Sequence, residues 1–303
     1  LTFHIVFGKT VNDVSLNAVA NLGYAQGRWL LPVWPGDTLR SVSEVIGVKQ
    51  NSNGKTGVVW VRTTGLNQHD ETVLEYVRWV MVRKRGDGPA PETVIPDLSA
   101  VVAPADLVIP RGLDFSNYDF TLAGEPHRLV NYTVGEIIDH VDGVTIEEAE
   151  HMLATRLWQN TAKVHFDATQ RADGKRLIYG GHVISLARAL SFNGLANAQM
   201  IVALNGGAHA NPCFAGDTVR AWSEVLDVAE TAAPGSGAPR AMGSFGRSTT
   251  RRRSGRRWWA DRAPRHPRLR ARRRRCPWRP ASIVDLGTRP GGVLHLMSPP
   301  SSG

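Results

Sequence analysis

The sequence has few cysteines and no long apolar run, and each absence excludes a class of protein. Its 303 residues contain only two cysteines, Cys213 and Cys276. Two thiols cannot form the disulfide framework of a small secreted domain or a cysteine metal site, so we expect a reduced, cytoplasmic setting. No stretch of about 18 apolar residues is present, which predicts no membrane-spanning helix. The start also lacks the charged, apolar and small-residue pattern of a secretion signal.

Lysine is absent after Lys175, although arginine is abundant there. From Arg240 to the end the chain has 17 arginines and two acids, a local charge of +15, which leaves −6 for residues 1–239. The overall net charge of +9 therefore describes the tail and not the body. A nucleic-acid-binding arm is one interpretation, but such arms usually mix lysine with arginine. We favour an off-frame reading of a GC-rich gene, and either origin predicts a disordered tail over 233–303.

A repeated segment indicates a duplicated domain. Residues 32–46 recur as residues 212–226, and eight of the fifteen aligned positions are identical without a gap. Both copies contain Gly-Asp-Thr followed by a strand-like run. The Gly-Asp-Thr sequence begins at Gly36 in the first copy and at Gly216 in the second. A Gly-Asp turn alone could recur by chance, whereas the strand behind it would hardly do so.

Each copy is predicted to contain a helix followed by long strands. Residues 182–192 are helical in composition and apolar on nearly all sides, which predicts a helix buried all round. The first copy has a looser counterpart at about 12–24. Residues 57–63 and 72–84 then form a predicted hairpin, joined by a polar loop. One buried helix followed by a long-stranded antiparallel sheet is an α+β layout.

The composition divides the chain into four parts. Residues 1–85 hold the C-terminal part of the first copy, and the upstream part of that copy is expected to be missing. Residues 86–125 form a proline-rich linker. Residues 126–232 hold the second copy without its last strands, and 233–303 form the arginine-rich tail.

A helix near the start of the second copy is predicted from its own pattern. Thr145 followed by Glu148 fits a capping box, and the helix is expected to end near Trp158. The apolar stripe expected on one face of this helix consists of Ile146, Ala149, Leu153 and Leu157.

The polar segment after that helix contains residues suited to thioester chemistry. His165 lies in this segment, and Gly180 and Gly181 stand at the start of the buried helix. Glycines there let a carbonyl oxygen approach the free N–H groups of a helix N-terminus. A neutral histidine nearby can take a proton from water. Taken alone, the pattern also fits a structural histidine and an ordinary turn.

The spacing from Asn160 to His165 and on to Gly180 and Gly181 resembles the MaoC-like (R)-specific enoyl-CoA hydratases. Their motif has an Asp, a His five residues later, and a glycine-containing entry into the central helix. Runs that resemble the mesaconyl-CoA hydratase branch of that family are residues 17–24, 51–59, 159–165 and 180–195. The resemblance covers about residues 1–230. It implies a tandem hot-dog fold, in which each copy wraps an antiparallel sheet around a buried central helix.

The resemblance implies a hydro-lyase that reversibly adds water to the C=C of mesaconyl-CoA to give β-methylmalyl-CoA, in ethylmalonyl-CoA or 3-hydroxypropionate types of carbon assimilation. It implies a CoA thioester as substrate, no metal and no redox cofactor, and it leaves a homo-oligomer open. The alternatives are an acyl-CoA thioesterase, a non-catalytic acyl-CoA-binding protein on the same fold, and a nucleic-acid-binding module. Because both copies are expected to be incomplete, we expect the chain to fold poorly and to be inactive.

One residue departs from the motif of the wider hydratase family. Asn160 stands where that motif has its Asp, and an amide cannot act as a base. His165 is therefore expected to carry the proton transfer, with Asn160 holding the water or the imidazole. The N–H groups of Gly180 and Gly181 are expected to polarise the thioester carbonyl. Asp167 could assist, although a solvated loop acid is the simpler interpretation.

Several other polar residues are assigned from their position in the motif region. The cations that could bind the second carboxylate of the substrate or the CoA phosphates are Lys163, Arg176 and Arg188. The histidines expected to be structural are His140, His151 and His209.

Overall fold

The computed structural model describes residues 1–16, 18–109, 117–209, 211–232, 239–246 and 293–297. The strands are β1 (Ala18–Trp29), β2 (Arg40–Gln50), β3 (Thr56–Leu66), β4 (Thr72–Arg83), β5 (Ile137–Thr145), β6 (Met200–Ala208), β7 (Thr218–Ala232), β8 (Pro239–Gly246) and β9 (Val293–Met297). The helices are α1 (Thr2–Lys9), α2 (Glu148–Leu157), α3 (Lys163–Phe166), α4 (Gly180–Leu190) and α5 (Phe192–Leu195), with a π-helical turn at Val11–Ser15 and 3-10 turns at Pro104–Asp106, Leu129–Asn131 and Ala168–Gln170. Within these ranges no helix is long and apolar enough to cross a membrane.

The strands pair into one antiparallel sheet in the order β2-β3-β4-β1-β6-β9-β8-β7-β5. β1 and β6 pair with each other at the middle of this order. Outward from them, β4, β3 and β2 follow on one side, and β9, β8 and β7 follow in the same arrangement on the other. The sheet therefore repeats the duplication seen in the sequence, and the α+β layout with antiparallel strands is confirmed.

The repeated Gly-Asp turn has the same hydrogen bond in both copies. The carboxylate of Asp37 accepts the backbone N–H of Trp34 at 2.7 Å, and that of Asp217 accepts the N–H of Phe214 at 3.0 Å. The glycine before each Asp has a positive φ, 100° in the first copy and 87° in the second. Only glycine adopts this conformation without strain, so the turn needs both of its repeated residues.

The central helix of the first copy starts earlier than the sequence analysis predicts. Helix α1 and the π-helical turn cover residues 2–15, whereas residues 18–29 form strand β1. The predicted helix at 12–24 is therefore wrong. β1 pairs with β4 on one side and with β6 on the other. The hydrogen bonds to these two strands stabilise the extended conformation more than the composition of the segment favours a helix.

The predicted end of helix α2 near Trp158 is confirmed, because the helix ends at Leu157 with Trp158 as its C-cap, but its predicted capping box and apolar stripe are wrong. The helix begins after Glu147, which makes no side-chain capping bond. Thr145 ends strand β5, where its Oγ1 lies 2.9 Å from Oγ1 of Thr218. Leu153 and Leu157 of the predicted stripe are 60% and 63% exposed. The helix instead buries a more polar set of residues, His151, Ala154 and Thr155.

Strands β8 and β9 correct the prediction that the second copy lacks its last strands. β9 lies between β6 and β8, the place that β4 has between β1 and β3. The 180-residue offset of the repeat would place this strand at residues 252–263, but it is formed by Val293–Met297. The rest of the arginine-rich tail, including its arginine clusters, lies outside the described residues.

The two central helices and the predicted linker pack against the sheet. Of the eleven residues of α4 only Ala189 is exposed, which agrees with the predicted buried helix. The largest apolar cluster joins both copies, since it contains Phe7 and Tyr76 from the first and Tyr179 from the second. The predicted linker is anchored to the sheet, because Val94 bridges to Val48. The two copies therefore meet across a shared core.

Candidate active site

A cavity of about 370 Å³ lies where the two copies meet. The first copy contributes Phe7, Tyr24 and Arg78 to its wall, and the second contributes His165 and Gly180. The cavity therefore needs both halves of the duplication.

His165 lies in the short helix α3 and faces this cavity. Its Nδ1 is 2.7 Å from the backbone carbonyl oxygen of Leu177. A carbonyl oxygen can only accept, so Nδ1 carries the proton and Nε2 of the neutral ring carries a lone pair. Burial lowers the pKa of His165 below its usual 6.5, and the bond to Leu177 opposes this only in part. At neutral pH the ring is therefore uncharged and can accept a proton.

Asn160 is fully buried and also lines the cavity. Its backbone N–H donates to the carbonyl oxygen of Thr155 at 2.9 Å, and its side-chain Oδ1 lies 3.4 Å from the N–H of Ala162. These bonds fix the amide at the turn between α2 and α3.

The start of helix α4 presents unpaired N–H groups. His151 Nε2 accepts the N–H of Tyr179 at 2.9 Å, and the N–H of His182 donates to the carbonyl oxygen of Tyr179. Among the described residues, neither Gly180 nor Gly181 has an acceptor for its N–H, as is usual in the first turn of a helix. Gly180 lines the cavity, so its N–H is a candidate donor to a carbonyl oxygen.

His209 packs directly on Gly180. A Cβ at Gly180 would overlap the imidazole ring of His209. The Nε2 atom of His209 is 3.4 Å from the hydroxyl oxygen of Tyr24 in the first copy. Burial, with a smaller contribution from His165, lowers the pKa of His209 to about 4. A second neutral histidine therefore stands beside the start of α4.

Comparison with known proteins identifies the family to which the chain belongs. The mesaconyl-CoA hydratase family model matches residues 2–257. A mesaconyl-CoA hydratase of Cereibacter sphaeroides is 77% identical over 241 residues, which cover 79% of this chain and 70% of that protein. The chain belongs to the mesaconyl-CoA hydratase family.

Solved structures agree on the fold. A MaoC domain protein dehydratase from Chloroflexus aurantiacus aligns with a TM-score of 0.81 and 51% identity, over 99% of this chain and 81% of that one. Rv0216 from Mycobacterium tuberculosis, described as a double hot-dog fold, aligns with a TM-score of 0.64 over 98% of this chain and 79% of its own. At 21% identity the second match informs only on the fold. The tandem hot-dog architecture predicted from the sequence is confirmed.

Three of the four site residues predicted from the sequence lie in the cavity wall. These are Asn160, His165 and Gly180. Gly181 is not in the wall but is buried, and a Cβ there would overlap the ring of Tyr179. The imidazole of His165 is held by the carbonyl of Leu177 and not by Asn160, which leaves water as the expected partner of Asn160.

The three cations predicted to bind substrate anions do not line the cavity. Lys163 is exposed. Arg176 forms an ion pair with Glu148 at 2.5 Å, and Arg188 donates to the hydroxyl of Ser191 and to the carbonyl of Ala198. None of these contacts brings a guanidinium or ammonium group to the cavity.

Asp167 and His140 have local structural roles outside the cavity. Asp167 caps a 3-10 turn by accepting the N–H of Thr169, and its pKa is lowered by bonds to Thr169 and Gln170. His140 bridges the carbonyl of Asn193 and the hydroxyl of Ser223, which fits its predicted structural role.

Sequence reasoning missed several polar residues of the cavity wall, among them His209, Arg78 and Arg171, the last of which is paired with Asp173. His209 follows the apolar strand β6 without any motif around it, and was expected to be structural. Arg78 had a signal, because on strand β4 it shares a face with Tyr76 and Val80, both fully buried. Strand alternation therefore places this arginine on the buried face.

Proposed function

We propose that His165 is the acid–base residue with which this chain hydrates mesaconyl-CoA to β-methylmalyl-CoA. The observation that carries the assignment is the bond from Nδ1 of His165 to the carbonyl of Leu177, which leaves Nε2 as the proton acceptor of a residue that lines the cavity. As a member of this family the chain is a hydro-lyase, and the acyl-CoA thioester is its substrate.

The expected reaction adds one water molecule across the C=C bond. Nε2 of His165 takes a proton from the water as the oxygen bonds to the β-carbon, and the π electrons move to the thioester oxygen. The N–H of Gly180 stabilises the charge on that oxygen. The imidazolium then returns the proton to the α-carbon, so that atoms and charge balance. Asn160 holds the water, and Gly181 as a second N–H donor stays a prediction.

The test replaces His165 with Ala and follows the loss of enone absorbance of mesaconyl-CoA. General acid–base catalysis contributes about 10²- to 10⁴-fold, so kcat should fall by that factor. The matched control is His69→Ala, because His69 is exposed and outside the cavity. Near-normal turnover by a folded His165→Ala variant would overturn the assignment.

The same assay separates the alternative reaction. An acyl-CoA thioesterase would release free thiol, which a disulfide reagent detects, whereas hydration leaves the thioester intact. Turnover would also contradict the expectation of an inactive chain, since β8 and β9 supply strands whose absence motivated it.

We also propose that the protein acts in the cytoplasm as a homo-oligomer. A CoA thioester substrate and the near-absence of cysteine support the first part, and cell fractionation would test it. Size-exclusion chromatography with light scattering tests the second, and a monomeric mass would contradict it.

A further inference from the structure

Arg78 is a fully buried cation with incomplete partners. Its side chain is 0% exposed. One terminal nitrogen donates to the hydroxyl of Thr10 at 2.8 Å, and both terminal nitrogens lie 3.3 Å from the hydroxyl of Ser15. The Nε atom has no acceptor. In the part of the chain that the structure describes, no carboxylate lies within 4.0 Å of this guanidinium.

A buried guanidinium without a counter-ion is costly. Hydroxyl groups and the ring of Phe7, whose centroid is 4.4 Å from the Cζ atom, stabilise the cation but do not neutralise it. Charged groups in protein interiors are nearly always paired. Arg78 lines the same cavity as His165. An anion that enters this cavity would therefore remove the imbalance.

Other polar residues of the first copy line the cavity together with Arg78. Asn21 also lines the cavity, and its side-chain amide has buried atoms without a hydrogen-bond partner. Tyr24 is a further wall residue from the same copy. A guanidinium binds a planar carboxylate through two parallel N–H···O bonds, and an amide can donate one more.

We infer that Arg78 binds the free carboxylate of the dicarboxylic acyl group, opposite the thioester end at Gly180. This inference rests on the proposed function. In mesaconyl-CoA the carboxylate is attached to the β-carbon, the atom that receives the water oxygen. An ion pair with Arg78 would therefore fix this carbon relative to His165, and it would select dicarboxylic over monocarboxylic acyl groups.

Two other roles for Arg78 lead to different expectations. As a structural residue, Arg78 would hold the segment between α1 and β1 through Thr10 and Ser15, and its loss would affect all substrates alike. As a ligand of the CoA phosphates, it would affect all CoA esters alike. Only a carboxylate ligand changes the preference between acyl groups.

The first measurement uses the unmodified protein and needs no variant. Succinyl-CoA and butyryl-CoA are saturated, cannot be hydrated, and differ only in a carboxylate against a methyl group. Succinyl-CoA should inhibit mesaconyl-CoA hydration about 10- to 100-fold more tightly, the range for hydrogen bonds to a charged group. Equal inhibition constants would overturn the inference.

The second measurement compares mesaconyl-CoA with tiglyl-CoA, in which a methyl group replaces the carboxylate. Arg78→Gln should lower kcat/KM for mesaconyl-CoA by about 10- to 100-fold and leave that for tiglyl-CoA nearly unchanged. Arg78→Lys, which keeps the charge but loses the paired geometry, should fall in between. Arg83→Gln is the control, since Arg83 is exposed on the same strand.

The outcomes separate this inference from the proposed function. Equal losses for both substrates, with or without a lower unfolding midpoint, would make Arg78 structural and overturn the inference alone. If Arg78→Gln does not fold, the inhibition constants of the unmodified protein decide. Loss of both activities in His165→Ala supports the proposed function whatever Arg78 does, and absence of hydration by the unmodified chain would overturn the proposed function itself.

Discussion

Helix α1 of the first copy and helix α4 of the second hold equivalent places 180 residues apart, but they meet the cavity differently. α4 begins at the cavity with Gly180, whereas α1 brings Phe7 to the wall and stacks His4 on Trp158 with ring centroids 4.0 Å apart. The second copy thus supplies N–H groups and a base. The first copy supplies aromatic surface and a buried cation. The duplication has divided one site into a reacting half and a binding half.

The two copies approach each other closely where Gly8 of α1 meets Trp158 at the end of α2, and a substitution at Gly8 should have the largest effect. A Cβ there would overlap the backbone carbonyl oxygen of Trp158, which has no side-chain freedom to move away. Gly8→Ala should therefore lower the free energy of unfolding by about 3 kcal/mol or more, as measured in urea. The control is Gly88→Ala, where a Cβ would meet nothing within 4 Å. An unchanged urea midpoint for Gly8→Ala would show that stability does not depend on the close contact between α1 and the end of α2.

A substitution at Gly180 tests the reacting half by itself. The added methyl group would displace His209 and move the helix start relative to His165, and displacements of about 1 Å can cost about 10²-fold in rate. Gly180→Ala should therefore lower kcat for mesaconyl-CoA by about that factor. Gly206→Ala is the matched control, because a Cβ there makes only ordinary contacts. Full activity of Gly180→Ala would argue against a tight site at the α4 start.

The stability of the second copy should depend on pH, because a neutral histidine accepts a backbone N–H at the start of α4. His151 accepts the N–H of Tyr179, and burial lowers its pKa to about 3, with smaller contributions from neighbouring charges such as His165. The unfolded chain takes up this proton near pH 6.5, so stability is lost as the pH falls from 6.5 towards 3.

In His151→Gln the amide oxygen can still accept the Tyr179 N–H but does not titrate. The loss of unfolding free energy between pH 8 and pH 5 should therefore be smaller by about 2 kcal/mol than in the unmodified chain. Urea unfolding at both pH values measures it, with His69→Gln as the exposed control. Identical losses in both variants would mean that His151 is not the titrating group.

The tandem architecture was predictable because it depends on a repeat that can be read directly. The Gly-Asp turn and its strand recur without a gap, and the structure places both in equivalent positions. Helix α1 was not predictable from local pattern, since β1 has helical composition yet pairs on both sides within the sheet. Here tertiary pairing outweighed local propensity.

The candidate site was predictable where it follows a motif and not elsewhere. Asn160, His165 and Gly180 lie close in sequence and all reach the cavity. Arg78 comes from the other copy, and no local pattern relates residue 78 to residue 165. The predicted cations Lys163, Arg176 and Arg188 were chosen for closeness along the chain, which is not closeness in space.

The Gly-Asp turn has a consequence for how this protein has evolved. Its hydrogen bond and its positive φ are the same in both halves, while the residues facing the cavity differ between them. After duplication, each half had to retain the turn to enter the strand that follows it, but only one set of catalytic groups was required. The ancestral unit can therefore be recognised at its periphery, where geometry limited drift, and no longer at the centre, where the two halves specialised.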